Sequence, residues 1–232
     1  MSDNNSNSKE KTYTTLLKKA GQSPYLIIPG ATALLNGFWY KLKFALMGKK
    51  IRIGKAFRLH GKLHVYGAGR VTIGNNCIID SKLFKTTALF TAFPDSHIKI
   101  GNNVGLNGTS IQCFKNVRID DYCAIADAYI VDSRGHHLSA DRRLQPNETL
   151  PANPVILRKN VWVSTNVVIT RGVIIGENSV IGACSLVNSD IPANSLYAGT
   201  PAKLIKTIPD TFSDNQKIRV YNHSTPVKGT ND

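Results

Sequence analysis

The fold of this chain is decided by residues 155–192, VILRKNVWVSTNVVITRGVIIGENSVIGACSLVNSDIP. Aliphatic residues open six consecutive hexapeptides in this stretch: Leu157, Val163, Ile169, Ile175, Ile181 and Val187. The residue four places after each opener is again apolar or small: Val161, Val167, Val173, Ser179, Ser185 and Ile191. A period of six fits neither the 3.6-residue period of a helix nor the two-residue alternation of a simple strand. It predicts short parallel strands that are separated by tight corners and stacked, coil upon coil, as a solenoid.

The same repeat extends towards the N-terminus with interruptions. Ile53-Gly54, Ile73-Gly74, Ile100-Gly101 and Ile119-Asp120 each look like the opening of a coil. Their uneven spacing predicts insertions, and residues 82–96 are expected to form one protruding segment. After Val131 the period stops, and residues 133–154, which are rich in Arg, Pro and Asn, interrupt the solenoid. A long aperiodic excursion of this kind is commonly functional.

These boundaries divide the 232 residues into four parts. Residues 1–12 are polar and are predicted to be disordered, whereas residues 13–50 form a helical N-terminal segment. Residues 51–207 form an all-β solenoid with the loop 133–154, and this domain ends in a short basic segment. Residues 208–232 are predicted to be a frayed C-terminal tail.

An apolar stripe runs along the helical segment: Leu34, Leu35, Phe38, Leu42 and Leu46 fall on one face. Two interpretations are open. The helix is either a cap on the open end of the solenoid, or an interfacial helix whose apolar face enters an anionic membrane while its lysines meet the headgroups. The prolines and polar residues between positions 21 and 40 argue against a membrane-spanning helix.

The net charge of +14 is concentrated in the N-terminal third. Residues 1–62 hold twelve Lys and Arg against Asp3 and Glu10, which gives +10 and leaves +4 for the other 170 residues. The excess predicts an anionic surface nearby, either phospholipid or a phosphorylated ligand, although a merely solubilising surface gives the same count. No nucleic-acid-binding motif and no aromatic interleaving accompany the basic residues, so nucleic acid is not a predicted partner.

The cysteines point to a reducing compartment. Neither CxxC pairing nor metal-ligand spacing occurs among them, and Cys77 and Cys123 stand four residues after Ile73 and Ile119, in the small inward slot of the repeat. We interpret them as reduced packing residues. Because the first dozen residues also lack the apolar core of a signal peptide, the sequence predicts a cytoplasmic protein. The histidines do not have the coil-matched spacing of a zinc site, so no metal is predicted.

Two further features occur together: a histidine-bearing loop in a broken solenoid, and a coil that ends in Gly-Thr-Pro-Ala-Lys. With Val161-Trp162-Val163, Ile175-Gly176 and Asp190-Ile191-Pro192, this ending resembles the C-terminal signature of hexapeptide-repeat acetyltransferases. Over residues 51–207 the chain is most similar to sugar O-acetyltransferases of the galactoside, maltose and nodulation-factor type, and especially to those that modify lipopolysaccharide, O-antigen and capsule. The resemblance implies a left-handed parallel β-helix, an exception to the usual right-handed crossover. It also implies a homotrimer with active sites between subunits, and acetyl-CoA as donor.

The same resemblance places the catalytic base. A sugar hydroxyl is a poor nucleophile at neutral pH, so a base must take its proton as it attacks the thioester carbonyl. Histidine, with an ordinary pKa of about 6.5, suits this task. In Asp132-Ser-Arg-Gly-His136-His137 the family pattern puts the base at His136, and Asp132 is a candidate to orient its imidazole. His137 stands where that family often has Pro, so it is the alternative base.

Two acceptor-binding residues carry over in the same way. Asn107, in Val104-Gly-Leu-Asn-Gly-Thr, matches an asparagine that lines the catalytic cleft. Trp162 resembles the tryptophan that walls the acceptor and pantetheine site. Each has a simpler interpretation, a corner residue for Asn107 and a packing residue for Trp162.

Four cofactor-binding residues also follow from the resemblance. The backbone amide of Thr165 resembles the donor that faces the thioester carbonyl, and Ala183 lies on the coil along which the pantetheine arm runs. Lys203 and Lys206 match basic residues that reach the CoA phosphates, for which a lysine serves as a point charge. Where many relatives have a lysine before Asp-Ile-Pro, this chain has Ser189, which removes one expected phosphate contact.

Other activities of this fold stay open at the level of sequence. A nucleotide-sugar N-acetyltransferase shares fold and donor but acylates an amine, and a streptogramin-type antibiotic acetyltransferase is a further alternative. A carbonic-anhydrase-like zinc protein and a non-catalytic scaffold transfer no acyl group at all. A scaffold would not need His136, Trp162 and the basic C-terminal segment together.

Overall fold

The structure is a computed structural model that describes residues 24–82, 85–135 and 151–209. Ala33–Asp210 forms one compact unit. Across the described ranges, one long helix, α1 (Pro24–Leu46), is followed by twenty short strands. The order of one helix and then only strands is the order that the sequence predicts.

Each coil of the solenoid contributes three strands. Coils 1 to 3 contain β1 (Ile51–Ile53), β2 (Arg58–His60), β3 (Leu63–Gly67), β4 (Arg70–Ile73), β5 (Ile78–Asp80), β6 (Thr87–Thr91), β7 (His97–Ile100), β8 (Gly105–Asn107) and β9 (Ser110–Cys113). Coils 4 to 6 contain β10 (Asn116–Ile119), β11 (Ala124–Ala126), β12 (Tyr129–Val131), β13 (Val155–Leu157), β14 (Trp162–Val163), β15 (Val168–Ile169), β16 (Ile174–Ile175), β17 (Val180–Ile181) and β18 (Leu186–Val187). An antiparallel pair, β19 (Ser195–Gly199) and β20 (Ala202–Thr207), follows the last coil.

The strands assemble into three sheets. Sheet A stacks the first strand of every coil, sheet B the second and sheet C the third, and β19 and β20 extend sheet B. Successive coils pair in parallel throughout. The fold is therefore a parallel β-solenoid of about six coils, consistent with a left-handed β-helix, and the predicted fold class is confirmed.

An aliphatic column runs through the interior behind each sheet. The column of sheet A is Ile53, Ile73, Ile100, Ile119, Leu157 and Ile175, each paired in register with the next. The column of sheet B is Leu59, Ile79, Leu106, Ile125, Val163 and Ile181, and that of sheet C is Val65, Leu89, Ile111, Ile130, Ile169 and Val187. The hexapeptide openers supply the last two members of each column, so one hexapeptide makes one side of a coil.

The corners between sheets A and B contain an asparagine ladder that the repeat analysis did not anticipate. Asn76, Asn103, Asn160, Asn178 and Asn194 all have φ between 54° and 60°. This left-handed region is one that asparagine tolerates better than most residues. Side-chain amides connect neighbouring coils, as where Asn160 Nδ2 donates to Asn178 Oδ1 at 3.0 Å and Asn178 Nδ2 donates to Asn194 Oδ1 at 2.9 Å. The ladder fixes the corner while the aliphatic columns fill the interior.

The expectation for residues 82–96 is wrong in its extent. The middle of this segment, Thr87–Thr91, is strand β6 of sheet C, paired with β3 and β9. Leu89 is fully buried in the interior, while Phe90 lies on the outer face, 5.1 Å from Tyr66 between ring centroids. The β-branched and aromatic composition of Thr87–Thr91 favours a strand. The insertions therefore lie in the connections on either side of β6.

Helix α1 packs across the first coil. Asn36 Nδ2 donates to the carbonyl oxygens of Leu59 and Gly61 at 3.0 and 2.9 Å, and Lys41 Nζ donates to that of Gly54 at 2.9 Å. A side chain at Gly37 would collide with the carbonyl oxygen of Phe57, so the helix backbone lies directly on the coil. The helix is therefore a cap on the solenoid. In the described part of the chain, no helix has the length and apolar character needed to cross a bilayer.

The columns predict the cost of a cavity. Ile111→Ala, at a buried position in the middle of the sheet C column, is expected to lower the free energy of unfolding by about 2–5 kcal/mol, because the rigid coils cannot collapse onto the void. Chemical denaturation of both proteins measures the change. Ile205→Ala, which truncates an exposed isoleucine of β20, is the control and should change stability by less than about 0.5 kcal/mol. Equal losses in the two variants would contradict the column as the source of stability.

Candidate active site

Three of the predicted site residues lie on one edge of the solenoid. Asn107, Thr165 and Ala183 all lie at the end of a strand of sheet B or just after it, at the turn that leads to sheet C. We call this edge the BC corner; it contains residues 107–109, 126–128, 164–167 and 182–185. Backbone hydrogen bonds join it from coil to coil: Cys184 N–H donates to the carbonyl oxygen of Thr165 at 2.9 Å, and Asp127 N–H donates to that of Asn107. At the usual spacing of adjacent strands, Asn107 and Thr165 are about 10 Å apart.

The amide of Thr165 is available to a ligand. The amides on either side of it are hydrogen-bonded. Ser164 N–H donates to the backbone carbonyl oxygen of Ile181 at 3.0 Å, and Asn166 N–H donates to that of Asp127 at 3.2 Å. Among the described residues, no acceptor takes the N–H of Thr165. A backbone donor that is fixed in place and unpaired can stabilise a developing negative charge without reorganisation.

Trp162 stands on the outer face of sheet B, where 54% of its surface is exposed. Its partners in register are Ala124 on β11 and Val180 on β17. Gly105 pairs with Ala124 in the same row, so the indole projects above a surface of smaller residues. Within one chain the ring is therefore not part of the core, and its assignment to the acceptor site stays a prediction.

Lys203 and Lys206 lie on β20, the last strand of sheet B. Both are exposed. Lys206 pairs in register with Leu196, Leu196 with Val180, and Val180 with Trp162, so these four residues form one row across sheet B. Three strand spacings separate Trp162 from Lys206, or about 14 Å. Sheet B therefore carries an aromatic ring and two ammonium groups along one face.

Asp127 is a BC-corner residue that the sequence analysis missed. It has a left-handed φ of 45°, and its side chain is mostly buried. Lys85 Nζ lies 2.7 Å from Asp127 Oδ1, although that oxygen accepts no bond in hydrogen-bond geometry. Asp127 lies between Asn107 and Asn166 in the backbone ladder. The available signal was its place in the repeat, since Asp, like Asn, favours left-handed corners.

Asp132 lies on a different edge, at the turn from sheet C to sheet A. Its side chain is fully buried. Oδ1 accepts the N–H of Phe114 at 2.7 Å, and Oδ2 accepts those of Lys115 and Asn116 at 2.8 and 2.7 Å. The carboxylate therefore holds the preceding coil's turn. This is a structural role that the interpretation of Asp132 as an orienting group did not include.

The loop 133–154 is closed at its base. Ser133 and Ala152 form an antiparallel bridge, and Asn153 N–H donates to the carbonyl oxygen of Asp132 at 2.9 Å. His136 and His137 lie outside the described residues, so their assignment as base and alternative base stays a prediction. The base of the loop and the BC corner lie on two edges of the same coil, separated by sheet C.

The buried cysteines are not nucleophiles. Burial is the largest cause that raises the pKa of Cys113 to about 12, and the negative charge of Asp132 raises it further. Burial likewise raises the pKa of Cys123 to about 12. These thiols stay protonated at neutral pH, in keeping with their interpretation as packing residues. Within the described ranges, no three His, Cys, Asp or Glu side chains are grouped so that they could hold a metal.

Asp132→Asn tests the structural role of this carboxylate. The amide keeps one acceptor but turns an N–H₂ group towards backbone donors, so the variant is expected to lose about 2–4 kcal/mol of unfolding free energy. Thermal or denaturant unfolding measures the loss. Asp120→Asn is the control, because Asp120 pairs at the surface with Arg118 and such pairs contribute less than about 1 kcal/mol. A stable Asp132→Asn protein would show that these three hydrogen bonds do not support the turn.

Comparison with known proteins supports the repeat. Residues 154–189 match the family described as bacterial transferase hexapeptide (six repeats). The match spans the last two coils, where the spacing is strict. No curated protein sequence matches the chain.

Solved structures provide a second comparison. A point mutant of AntD, an N-acyltransferase from Bacillus cereus in complex with dTDP-4-amino-4,6-dideoxyglucose and coenzyme A, aligns with a TM-score of 0.58 and 22% identity over 73% of this chain and 89% of that one. The hexapeptide-repeat containing acetyltransferase VCA0836 from Vibrio cholerae aligns with 25% identity over 82% and 90% of the two chains, with a TM-score of 0.44. At these levels the likeness to AntD shows a shared fold.

Proposed function

We propose that this protein transfers an acetyl group from acetyl-CoA to a hydroxyl of a sugar, within a cell-surface polysaccharide such as O-antigen or capsule, or its precursor. One observation carries the proposal: the BC corner and the adjoining face of sheet B bring together the amide of Thr165, whose N–H no described residue accepts, the exposed ring of Trp162 and the two lysines of β20. The amide suits the oxyanion that forms at the thioester, the ring suits contact with the ligand, and the lysines suit its phosphates. The groups follow one another in the order of the corresponding parts of an acyl-CoA.

The donor is proposed to lie along sheet B. Gly182 and Ala198, which lie against each other between Trp162 and β20, leave room for the narrow pantetheine arm, and Ala183 is exposed beside them. The thioester carbonyl would accept the N–H of Thr165. Lys203 and Lys206 would meet the phosphates as point charges.

The acceptor hydroxyl is proposed to enter at Asn107 and Trp162. His136 would take the hydroxyl proton as the oxygen attacks the thioester carbon. When the carbon–sulfur bond breaks, the imidazolium returns that proton to the departing thiolate, so the products are an acetyl ester and CoA. Asp132 is proposed to support this step through the base of the loop, since its carboxylate holds the turn beneath it.

A homotrimer is part of the proposal. The base of the loop that contains His136 and the BC corner that contains Thr165 lie on separate edges of one chain. Three solenoids around a common axis would place one edge of each protomer against a different edge of its neighbour. The loop of one subunit would then complete the BC corner of the next.

N-acetylation of a nucleotide sugar is the second candidate, because the structure of AntD contains a dTDP-linked amino sugar and coenzyme A. An amine acceptor binds as an ammonium ion, which favours a free carboxylate in the cleft. On the BC corner the carboxylate of Asp127 already has the ammonium of Lys85 at 2.7 Å. This pair favours an uncharged acceptor and therefore the hydroxyl.

A cytoplasmic location fits the proposal. Cys77, Cys113 and Cys123 are buried free thiols, which persist most readily in a reducing compartment. A lipid-linked glycan precursor would bring the protein to the inner face of the membrane as a peripheral protein.

The catalytic proposal is tested with acetyl-CoA and a panel of sugars, nucleotide sugars and polysaccharides, with thiol release as the readout. His136→Ala is expected to lower turnover by a factor of about 10² to 10⁴, the usual contribution of a general base, without weakening CoA binding. His137→Ala is the matched control and should be mild. If His137→Ala abolishes turnover and His136→Ala does not, the base has been assigned to the wrong histidine.

The donor site is tested by replacing both Lys203 and Lys206 with alanine. The KM for acetyl-CoA is expected to rise roughly tenfold or more, while the KM for an acetylated dephospho-CoA should rise much less, because the lost interaction is Coulombic. A variant in which Lys62 and Lys99 are both replaced by alanine, at exposed positions on other parts of the solenoid, controls for the same loss of two positive charges. Equal effects on both donors would place the two lysines away from the phosphates.

A further inference from the structure

Helix α1 has two apolar faces, of which the solenoid uses one. Ala33, Gly37 and Phe44 are buried against the first coil. At 100° per residue, the opposite side of the helix is formed by five large apolar residues. These residues, which we call the apolar outer face, are Leu35, Phe38, Trp39, Leu42 and Leu46. Their exposures reach 69% for Leu35, 65% for Phe38 and 80% for Leu46.

The cap therefore does not explain the apolar outer face. Scattered apolar residues on a surface are ordinary, but a contiguous patch of five large ones marks a contact site. The patch points away from the solenoid, because at 100° per residue its members lie about half a turn around the helix from Ala33, Gly37 and Phe44. Whatever binds it must approach the first coil from outside.

The charges around the apolar outer face identify what it contacts. Residues 11–79 hold twelve Lys and Arg and no Asp or Glu. Lys43 on the helix and Lys50, Arg52, Lys55 and Lys62 on or beside the first coil are exposed. An apolar helical face beside the exposed basic residues of the first coil matches the depth profile of an anionic bilayer, in which acyl chains lie beneath phosphate headgroups. A second copy of the chain fits poorly, because it would bring two such basic surfaces together.

We propose that the apolar outer face of α1 binds an anionic phospholipid bilayer, with the exposed basic residues of the first coil at the headgroups. Such a contact would hold the enzyme where a lipid-linked acceptor is found. Only this purpose of the contact rests on the proposed function. In the proposed homotrimer three such faces would act together, and the linked sites would strengthen binding without any new contact. The cap and the proposed membrane contact thus use opposite faces of one helix, so the two interpretations of the sequence do not exclude each other.

The structure also determines which lysines to test. Lys41 and Lys49 are engaged, since their ammonium groups donate to the carbonyl oxygens of Gly54 and Val65 at 2.9 and 2.8 Å. Replacing them would disturb the cap itself. Lys43, Lys50 and Lys55 are exposed, so their replacement by glutamine removes charge from the proposed contact and leaves those hydrogen bonds in place.

Tryptophan fluorescence provides a direct test with the full chain. The sequence contains two tryptophans, so the Trp162→Phe protein has Trp39 alone as its reporter. Vesicles of phosphatidylcholine with phosphatidylglycerol are expected to shift the emission of Trp39 to shorter wavelength, and brominated acyl chains should quench it. Salt should reverse both effects, and vesicles of pure phosphatidylcholine should give much weaker ones.

Co-sedimentation with the same vesicles tests each part of the surface. Phe38→Asp is expected to lower the vesicle-bound fraction more than tenfold, and each of the three Lys→Gln changes should weaken partitioning roughly fivefold. Ile205→Asp is the matched control, because it places a charge on an exposed apolar residue of β20, after the last coil. It should bind as the unmodified protein does.

Three outcomes would overturn the proposal: no binding to anionic vesicles at low salt, equal loss of binding in Phe38→Asp and Ile205→Asp, or a lipid-free oligomer that Phe38→Asp dissociates. The last outcome would assign the face to contact between copies of the chain. Vesicle binding requires no acetyl transfer, so a protein that binds vesicles but transfers no acetyl group would refute the proposed function alone.

Discussion

A coil of this solenoid cannot bury its own interior. Each inward residue, such as Ile111, is covered from above and below by the corresponding residues of the next coils, Leu89 and Ile130. The hydrophobic contribution of a column thus grows with every coil that is added, and an uncovered coil at either end leaves apolar surface in water. Helix α1 meets this requirement at the first coil, and the antiparallel pair β19–β20 continues sheet B past the last one.

In the strict part of the repeat, the sequence identified the inward-facing opener of each hexapeptide. From Leu157 to Val187 every opener falls in a column, because a coil without insertions places each sixth residue on the next side. Upstream, the isoleucine-glycine pairs located the coils, but the composition around Phe90 suggested a protrusion where the chain makes β6. A buried strand of five residues and an apolar loop look alike when the surrounding period is irregular.

Only part of the candidate site could be predicted from the sequence. The placement of Asn107, Thr165 and Ala183 on one edge follows from the repeat, since all three occupy the same side of their coils. The role of Asp132 did not follow, because its partners are backbone amides of residues 114–116, which a sequence pattern does not specify. The pairing of Asp127 with Lys85 is also invisible in sequence, since 42 positions separate them and an insertion lies between.

The regular spacing of the coils fixes the distances between groups in the proposed site. Equivalent positions on the BC corner are separated by a whole number of strand spacings of about 4.8 Å. Backbone hydrogen bonds from Asp127 to Asn107 and from Asn166 to Asp127 fix this separation. The distance between two such positions can change only by a whole strand spacing, through the gain or loss of an entire coil. The length of an insertion at a corner is free of this restriction, as the long loop after Asp132 shows. Evolution of a new acceptor is therefore expected to alter the corner insertions and to leave the number of coils between Asn107 and β20 unchanged.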